Sequence, residues 1–489
     1  MIAAEASIAR RTLGCALPLL PLLLLLAWSA CQSRSASTES AALRPNIVLL
    51  LADDLGYGEL GCYGQQKIAT PRLDALATEG VRFAQAYTGA PVCAPARCVL
   101  MTGKSSGRAH VRDNQERKPE GQEPLPRSEQ TIAEILRQRG YATGCFGKWG
   151  LGYPGSEGEP LQRGFDRFYG YNCQRHAHDH YPRFLYDNAQ RVDLPGNDGS
   201  GVGDTYAEDR IADEAVAFVR KNRDRPFFCY VPFTLPHLAL QAPDDVLARY
   251  RGQFDETPYE GKSYRPHPTP RACYAAMITH LDTLVGRVLD AIDDEGLRER
   301  TIVMFLSDNG PTHLPQQADV AFFGSQGGLR GLKGSVYEGG IRVPMLVRGP
   351  KGCRASSVTD HIACMQDVMA TVCDMVGAEA PRDADGVSFW PLLCGDEQAQ
   401  RTHEALLWDF PGYGGQLALR MGKWKAVRKD LRKNSDAPLE LFDLEQDPAE
   451  SHDIAAQHPE LATALRERMT QMRVMPQVES FRFGDYATR

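Results

Sequence analysis

Residues 47–54 read Ile-Val-Leu-Leu-Leu-Ala-Asp-Asp, an unbroken apolar run that ends abruptly in two carboxylates. A run of this length with polar residues beyond it predicts a strand that is buried on both faces of a sheet. Three later stretches have the same form, with polar or turn residues shortly after the apolar run; they are residues 141–146, 227–231 and 301–306. The four stretches together predict four buried strands.

The chain between these stretches carries helical patterns, with apolar residues on one face and Pro, Ser or Gly near the ends. The patterns span residues 70–80, residues 128–140 with a cap at Ser128, and about residues 272–292. Strands that alternate with helices indicate an α/β fold with a mostly parallel central sheet flanked by helices. Sheets of this kind bind ligands at the carboxyl ends of their strands.

The character of the sequence changes after about residue 396. Short alternating runs predict a small antiparallel sheet, followed by a closing helix at residues 460–475; the runs are residues 404–408, 417–420, 424–428 and 439–442. Residues 162–204 and 258–270 lack periodicity and predict long loops, the first of them functional. The predicted divisions are a signal peptide at 1–31, a linker at 32–44, a catalytic α/β domain at 45–395 and a C-terminal α+β subdomain at 396–489.

The N-terminus predicts export. Arg10 and Arg11 precede a short apolar region, and small residues come before Cys31, as in a secretory signal peptide. The residues around Cys31 also resemble a bacterial lipoprotein signal, so a lipid anchor on this cysteine and free secretion both stay open. We expect a periplasmic or cell-surface protein. The net charge of −7, without a basic run, argues against a nucleic-acid partner.

The thirteen cysteines are scattered without the Cys-x-x-Cys spacing of zinc sites, which argues against a zinc ion. Cys15 would leave with the signal peptide, and Cys31 is the candidate for lipidation. Cys93 stands apart because of the residues that surround it. The other ten cysteines can form disulfides or remain buried thiols, and the sequence does not pair them.

Two polar pairs at predicted strand ends indicate a metal site. Asp53-Asp54 follows the first strand, and Asp308-Asn309 follows the fourth. The chain at a strand end is no longer forced to alternate faces, so adjacent side chains can reach one cation. A set of oxygen ligands suits Ca²⁺ or Mg²⁺ rather than zinc or copper.

Several short motifs occur in order along the chain. They are Cys-Ala-Pro-Ala-Arg at residues 93–97, Gly-Lys-Trp-Gly-Leu-Gly at 147–152, Arg-Gly-Leu-Lys-Gly at 330–334, Glu-Gly-Gly-Ile-Arg-Val-Pro at 338–344, Ala-Leu-Arg-Met-Gly-Lys-Trp-Lys at 418–425 and Glu-Leu-Phe-Asp-Leu-Glu-Gln-Asp-Pro at 440–448. In sequence and order they resemble the type I, formylglycine-dependent sulfatases, or arylsulfatase family, of the alkaline-phosphatase-like superfamily. The resemblance extends from about residue 45 to the end.

The resemblance implies a sulfuric ester hydrolase. In this family a formylglycine-generating enzyme oxidises the cysteine of the first motif to an aldehyde, whose hydrate attacks the sulfur of a sulfate ester. The family pattern assigns the Ca²⁺ ligands to Asp53, Asp54, modified Cys93, Asp308 and Asn309. It assigns catalytic roles to Cys93 as nucleophile, Arg97 as its partner, Lys148 and Lys333 as ligands of the sulfate oxygens, and His237 as the acid that protonates the leaving alcohol.

One position departs from the family pattern. The motif at residues 147–152 usually has His in its fourth place, where this chain has Gly150. In the family that histidine is the candidate base that lets sulfate leave the covalent intermediate. His176 and His178 are the candidates to replace it, because alternate residues of an extended chain point to one side. The competing interpretation is a loop that is solvated or contacts the substrate.

Two other functions stay open. A phosphomonoesterase or phosphodiesterase of the same superfamily usually has Ser or Thr as nucleophile and two transition metals, which Cys93 and the lack of a second His-rich set argue against. A catalytically silent protein that binds sulfated glycans is favoured only by Gly150. The substrate stays open between sulfated carbohydrates and aryl or alkyl sulfates, because a fold does not determine it.

Overall fold

The predicted strand at residues 47–52 lies at the centre of the structure, a computed structural model that describes residues 44–486. It is observed as β1 (Asn46–Ala52), and all of its residues are buried. Its odd-numbered residues pack into one hydrophobic core and its even-numbered residues from 48 onward into another. Because successive side chains of a strand point to opposite faces, a strand covered on both faces needs an unbroken apolar run.

The other strands before residue 400 are β2 (Val81–Phe83), β3 (Ala86–Tyr87), β4 (Ala142–Lys148), β5 (Arg167–Tyr171), β6 (Phe184–Asp187), β7 (Gln190–Asp193), β8 (Phe227–Pro232), β9 (Thr301–Ser307), β10 (Met345–Arg348), β11 (Ser357–Thr359) and β12 (Ala363–Cys364). In the described chain, β3 and β12 pair separately, and the rest form a ten-stranded sheet in the order β11-β2-β10-β9-β1-β8-β4-β5-β6-β7. The neighbours β9, β1, β8, β4 and β5 are parallel, whereas β10 and β6 run antiparallel to their neighbours. The predicted α/β fold with a mostly parallel centre is confirmed.

Helices cover both faces of this sheet. They are α1 (Pro71–Glu79), α2 (Cys93–Thr102), α3 (Ile132–Gln138), α4 (Ala207–Lys221), α5 (Asp244–Leu247), α6 (Pro270–Asp294), α7 (Val320–Phe323), α8 (Glu338–Ile341), α9 (Asp367–Val376) and α10 (Trp390–Leu393). Apolar residues of α1, α4 and α6 fill the core on one face, and those of α2, α3 and α9 fill the core on the other.

Two predicted elements need correction. The helix predicted to begin at Ser128 begins at Ile132, because Thr131 forms a capping box: its side chain accepts a hydrogen bond from the Glu134 N–H, and the Glu134 side chain accepts one from the Thr131 N–H. The stretch 162–204, predicted as a loop, contains β5, β6 and β7. Arg, Gly and Asp interrupt the apolar residues of these strands, so no regular pattern marks them.

The C-terminal part forms a second sheet. Its strands are β13 (Leu406–Phe410), β14 (Gln416–Met421), β15 (Trp424–Arg428) and β16 (Glu440–Asp443), which are antiparallel in this order. Helix α11 (Pro459–Met472) packs on it, so the predicted small antiparallel sheet with a closing helix is confirmed. The chain from Pro45 onward is one compact unit, and the predicted domain boundary at residue 395 stays a prediction.

The predicted signal peptide, the anchor site at Cys31 and all but the last residue of the predicted linker lie outside the described residues. Between residues 44 and 486, no helix combines the length and apolar character that crossing a membrane requires. Every cysteine in this part of the chain is a free thiol, and most are buried. Of the two alternatives for the ten remaining cysteines, the structure therefore shows thiols.

A buried charge cluster attaches the C-terminal sheet to the rest of the protein. Lys425 of β15 is fully buried, and its Nζ lies 2.8 Å from Glu338 Oε1 and 3.0 Å from Glu450 Oε1. Glu338 begins α8, and its second carboxylate oxygen accepts a hydrogen bond of 2.6 Å from the hydroxyl of Tyr87. Glu338, the first residue of the motif at residues 338–344, therefore holds the C-terminal sheet against the rest of the protein.

We expect Lys425→Met to lower the free energy of unfolding by about 3 to 5 kcal/mol, because it leaves two buried carboxylates without their cation. Lys423→Met is the matched control, since Lys423 pairs with Asp443 on the half-exposed side of the same sheet. Chemical denaturation of the two variants and the parent protein measures the difference. Equal losses from both variants would show that the buried cluster does not carry this attachment.

Candidate active site

The two polar pairs predicted at strand ends meet at one edge of the main sheet. Asp53 and Asp54 follow β1, and Asp308 and Asn309 follow its parallel neighbour β9. Asp54 has a backbone φ of 66°, in the left-handed region, which ends the alternation of the strand. The Asp54 N–H then donates a hydrogen bond of 3.2 Å to Asp308 Oδ1. All four side chains are buried, as expected for a shared site.

These residues fit a hard cation. Oxygen or sulfur atoms of Asp53, Asp54 and Cys93 and a ring nitrogen of His237 lie within 4.8 Å of one another. Asn309 donates through Nδ2 to Asp54 Oδ1 at 2.8 Å, which leaves its Oδ1 buried and, among the described residues, without a hydrogen-bond partner. A buried carbonyl oxygen beside three carboxylates is the donor set that Ca²⁺ or Mg²⁺ prefers.

The carboxylates have opposite pKa shifts. Burial and the negative charge of Asp53 raise the pKa of Asp308 to about 7. Burial also opposes ionisation of Asp53, but Lys148, His237 and Arg97 outweigh it and hold the pKa of Asp53 well below its ordinary value. The Asp308 carboxylate is therefore the harder of the two to ionise, although Arg97 Nη2 lies 2.8 Å from it.

Cys93 is the first residue of α2, and only 1% of it is exposed. Its Sγ lies 3.5 Å from Asp53 Oδ1, at the edge of the carboxylate cluster. Burial and Asp53 raise the pKa of the thiol to about 12, so it is neutral at neutral pH. Cys98, on the same helix, packs in the core instead.

Arg97 lies one turn after Cys93, as the motif spacing predicts, and is fully buried. Its Nη2 lies 2.8 Å from Asp308 Oδ2 and 3.4 Å from Asp53 Oδ2, and its Nη1 donates to the carbonyl oxygen of Lys148. The guanidinium therefore joins three segments of the site. Its contact with a modified Cys93 stays a prediction.

The two lysines reach the cluster from separate elements. Lys148 is the last residue of β4, and its Nζ lies 2.5 Å from Asp53 Oδ2. Lys333, in the loop before α8, places its Nζ 2.8 Å from Asp54 Oδ1. Both ammonium groups are held by carboxylates of the site, where they can also bind an anion.

His237 follows β8, with its Nε2 3.7 Å from Asp54 Oδ2. Burial, and then the charge of Lys333, lower its pKa well below the ordinary value. His180, the third histidine of the His-rich stretch at residues 174–180, supports it: His180 Nε2 lies 2.8 Å from the carbonyl oxygen of His237, and its Nδ1 lies 3.1 Å from Thr234 Oγ1. His180 thus fixes the turn that carries His237.

The structure separates the two candidate replacement bases. Residues 176–178 form a 3₁₀ turn, so the expectation that both side chains point to one side is wrong. His178 stacks on His237, with ring centroids 4.4 Å apart, and its Nδ1 lies 3.3 Å from the hydroxyl of Tyr264. His176 instead packs between Tyr171 and Phe184.

Gly150 has a φ of 76°, and its surroundings explain the departure from the family motif. A Cβ on residue 150 would lie 2.4 Å from Gln174 Nε2 and 3.7 Å from Arg97 Cδ. Gln174 therefore fills the space that a side chain at position 150 would need. Sequence analysis missed it, although it is the first residue of the His-rich stretch.

Two tyrosines near the site were also missed. Tyr264, from the predicted loop 258–270, contacts His178. Tyr413 is 59% exposed, and a Cβ on Gly334, the residue after Lys333, would lie 3.1 Å from its ring. Loop tyrosines carry no periodic signal, and only the fold brings these two to the site.

Comparison with known proteins agrees with this geometry. The sulfatase family model matches residues 45–378, and the model described as N-sulphoglucosamine sulphohydrolase, C-terminal, matches residues 332–475. Arylsulfatase A of Homo sapiens is 32% identical over 487 residues, which cover 88% of this chain and 87% of the relative. Steryl-sulfatase of Mus musculus is 32% identical over 75% of this chain and 67% of the relative.

Solved structures show the same fold. Ps i-CgsB in complex with k-i-k-neocarrahexaose superposes with a TM-score of 0.75 at 28% identity, over 91% of this chain and 96% of that chain. The phosphonate monoester hydrolase of Agrobacterium radiobacter shares the fold with a TM-score of 0.62 at 20% identity, over 88% of this chain and 95% of that chain. The predicted alkaline-phosphatase-like fold is confirmed.

The family model covers more than half of the chain, and its motif residues converge on one buried edge of the sheet. The resemblance seen in the sequence is therefore confirmed. This chain belongs to the sulfatase family and is a sulfatase, a hydrolase of sulfate esters.

Proposed function

We propose that this sulfatase hydrolyses sulfate esters of carbohydrates, with formylglycine made from Cys93 and with a bound Ca²⁺ ion. The observation that carries the proposal is the position of Cys93 in the Cys-Ala-Pro-Ala-Arg motif. Its Sγ faces Asp53 within the cluster that also contains Asp54 and His237. A group attached at this atom would stand next to the oxygen donors and the lysines.

The residues of the chain bind and orient the reacting groups. When present, formylglycine supplies an oxygen nucleophile as its hydrate, and Ca²⁺ supplies positive charge beside the sulfate group. Lys148 and Lys333 donate hydrogen bonds to sulfate oxygens and stabilise the charge that develops on them. His237 is the candidate that gives a proton to the leaving alcohol oxygen: burial and the charge of Lys333 lower its pKa, and the negative sulfate group opposes that shift when it binds. Asp53, Asp54, Asp308 and Asn309 would hold the cation.

The aromatic rim supports a carbohydrate substrate. Tyr413 presents an exposed ring close to Lys333, and Tyr264 lies beside His178 on another loop. Flat aromatic faces pack well against the C–H faces of sugar rings. Ps i-CgsB, similar to this chain over most of its length, has been solved with an oligosaccharide bound. Aryl sulfates are the alternative substrate class.

Maturation and export complete the proposal. The folded chain buries Cys93 almost fully, so a formylglycine-generating enzyme must reach this cysteine before folding. The pattern of residues 1–31 supports export to the periplasm or cell surface, either with a lipid anchor on Cys31 or by free secretion.

Co-expression with a formylglycine-generating enzyme should give the Cys93 peptide the mass of an aldehyde, measured after proteolysis. Cys93→Ala should abolish turnover of sulfated sugars, because no other group at this position can form the nucleophile. Cys98→Ala is the matched control, since Cys98 lies on the same helix but packs in the core. An unmodified thiol, with the modifying enzyme active on another substrate, would remove the proposed nucleophile. If the matured protein binds glycans but does not turn them over, the alternative function, a catalytically silent protein that binds sulfated glycans, is favoured.

Ca²⁺ at about 100 times its dissociation constant should stabilise the protein by about 2.7 kcal/mol, because it binds only the folded carboxylate cluster. We expect Asp308→Asn to lose most of this gain. Asp290→Asn, an exposed carboxylate that pairs with Arg72, should keep it. Thermal unfolding with added Ca²⁺ or with a chelator measures the gain. Equal gains in both variants would place the cation elsewhere.

If His178 is the replacement base, His178→Ala should lower kcat by about 10² or more, the usual contribution of a general base; its ring lies beside His237, and burial and the charge of His237 lower its pKa to about 2. His176→Ala should leave kcat unchanged, since its ring packs between two aromatic residues away from the cluster. Steady-state kinetics on a sulfated sugar compares the two. Unchanged turnover in both variants would reject the idea of a replacement base in this stretch.

A further inference from the structure

The space left by Gly150 contains a specific polar group. The nearest atom to a Cβ on residue 150 is Gln174 Nε2 at 2.4 Å, and after Gln174 Cδ the next is Arg97 Cδ at 3.7 Å. The amide of Gln174 thus stands beside the arginine that binds Asp308 and Asp53. Gln174, which follows β5, thus occupies the space that a side chain at position 150, which follows β4, would fill.

The amide of Gln174 is ready for a ligand. Gln174 is 6% exposed, yet neither its Nε2 nor its Oε1 has a hydrogen-bond partner among the described residues. Asn172, two residues earlier, is 3% exposed, and its Oδ1 is equally unpartnered. Buried amides are nearly always paired, because burial without a partner is costly. The Nε2–H group of Gln174 therefore needs a hydrogen-bond acceptor from outside the protein, whereas Asn172 Oδ1 is itself an acceptor and needs a donor.

The charge of the surroundings identifies that ligand as an anion. Lys148, the last residue of β4, precedes Gly150 by two residues. The Gly150 N–H donates a hydrogen bond to the carbonyl oxygen of Asn172, which holds the segment that carries Gln174 beside the end of β4. Arg97 Cδ would lie 3.7 Å from a Cβ on residue 150, so the Gln174 amide and Arg97 adjoin the same space. An amide N–H next to an arginine suits an oxygen of a sulfate group.

Building on the proposed sulfatase function, we propose that Gln174 binds the sulfate group of the substrate by a hydrogen bond from its side-chain amide. It takes the place, but not the chemistry, of the histidine usual at position 150. An amide neither accepts nor releases a proton at neutral pH, so Gln174 binds and orients the sulfate group and does not act as a base.

The test compares two buried glutamines. Gln174→Ala should weaken binding of inorganic sulfate by about ten- to hundredfold, the usual loss for a hydrogen bond to a charged group, and leave the thermal midpoint unchanged or higher. Gln65→Ala is the matched control: its Nε2 donates to the carbonyl oxygens of Gly58 and Phe323, and its Oε1 accepts two backbone N–H bonds. It should lower the thermal midpoint and leave sulfate affinity unchanged.

Calorimetric titration with inorganic sulfate uses the unmodified protein, and steady-state kinetics uses the matured one. Parallel losses in sulfate affinity and in kcat/KM for Gln174→Ala would support the proposal. Unchanged sulfate affinity and kinetics in Gln174→Ala, with an active parent, would overturn it, as would a parent that does not bind sulfate. A parent that binds sulfate but never turns over a sulfate ester would instead contradict the proposed function, and the sulfate titration would still decide the role of Gln174.

Discussion

The carboxylates of Asp53, Asp54 and Asp308 share one small buried space at the carboxyl edge of the sheet, and their mutual repulsion must be balanced. Cations from three other segments supply this balance: the arginine of helix α2 and the two lysines of the family motifs. In the proposed mechanism, the same contacts hold each cation in place before a sulfate group binds. Folding and anion binding thus depend on the same electrostatic arrangement.

The fold was predictable because its central strands are covered on both faces. An unbroken apolar run such as residues 47–52 admits few other interpretations, and the parallel arrangement brings the ends of β1 and β9 to one edge. The meeting of Asp53 with Asp308 therefore followed from topology and the family pattern together. The left-handed conformation of Asp54 is the local detail that lets adjacent carboxylates serve one site.

The parts of the fold and site that were not predicted depended on local backbone geometry, which the composition of the sequence does not reveal. His176 and His178 were expected on one side, but a 3₁₀ turn directs them to different neighbours. Strands β5 to β7 were missed because charged residues and glycine interrupt them. Gln174 was missed because its side chain occupies the space that a side chain at position 150 would need. Only the folded edge of the sheet brings these two positions together.

The attachment of the C-terminal sheet also sets an order of events on the ribosome. Tyr87 and Val92, just before Cys93, share a hydrophobic cluster with Trp408 and Phe442 of the C-terminal sheet. The packing around the first turn of α2 therefore cannot be completed until the last strands have been synthesised. During the translation of more than three hundred intervening residues, Tyr87 and Val92 lack these packing partners. Under the proposed maturation of Cys93, the late synthesis of β13 to β16 gives the modifying enzyme a period before this packing is complete.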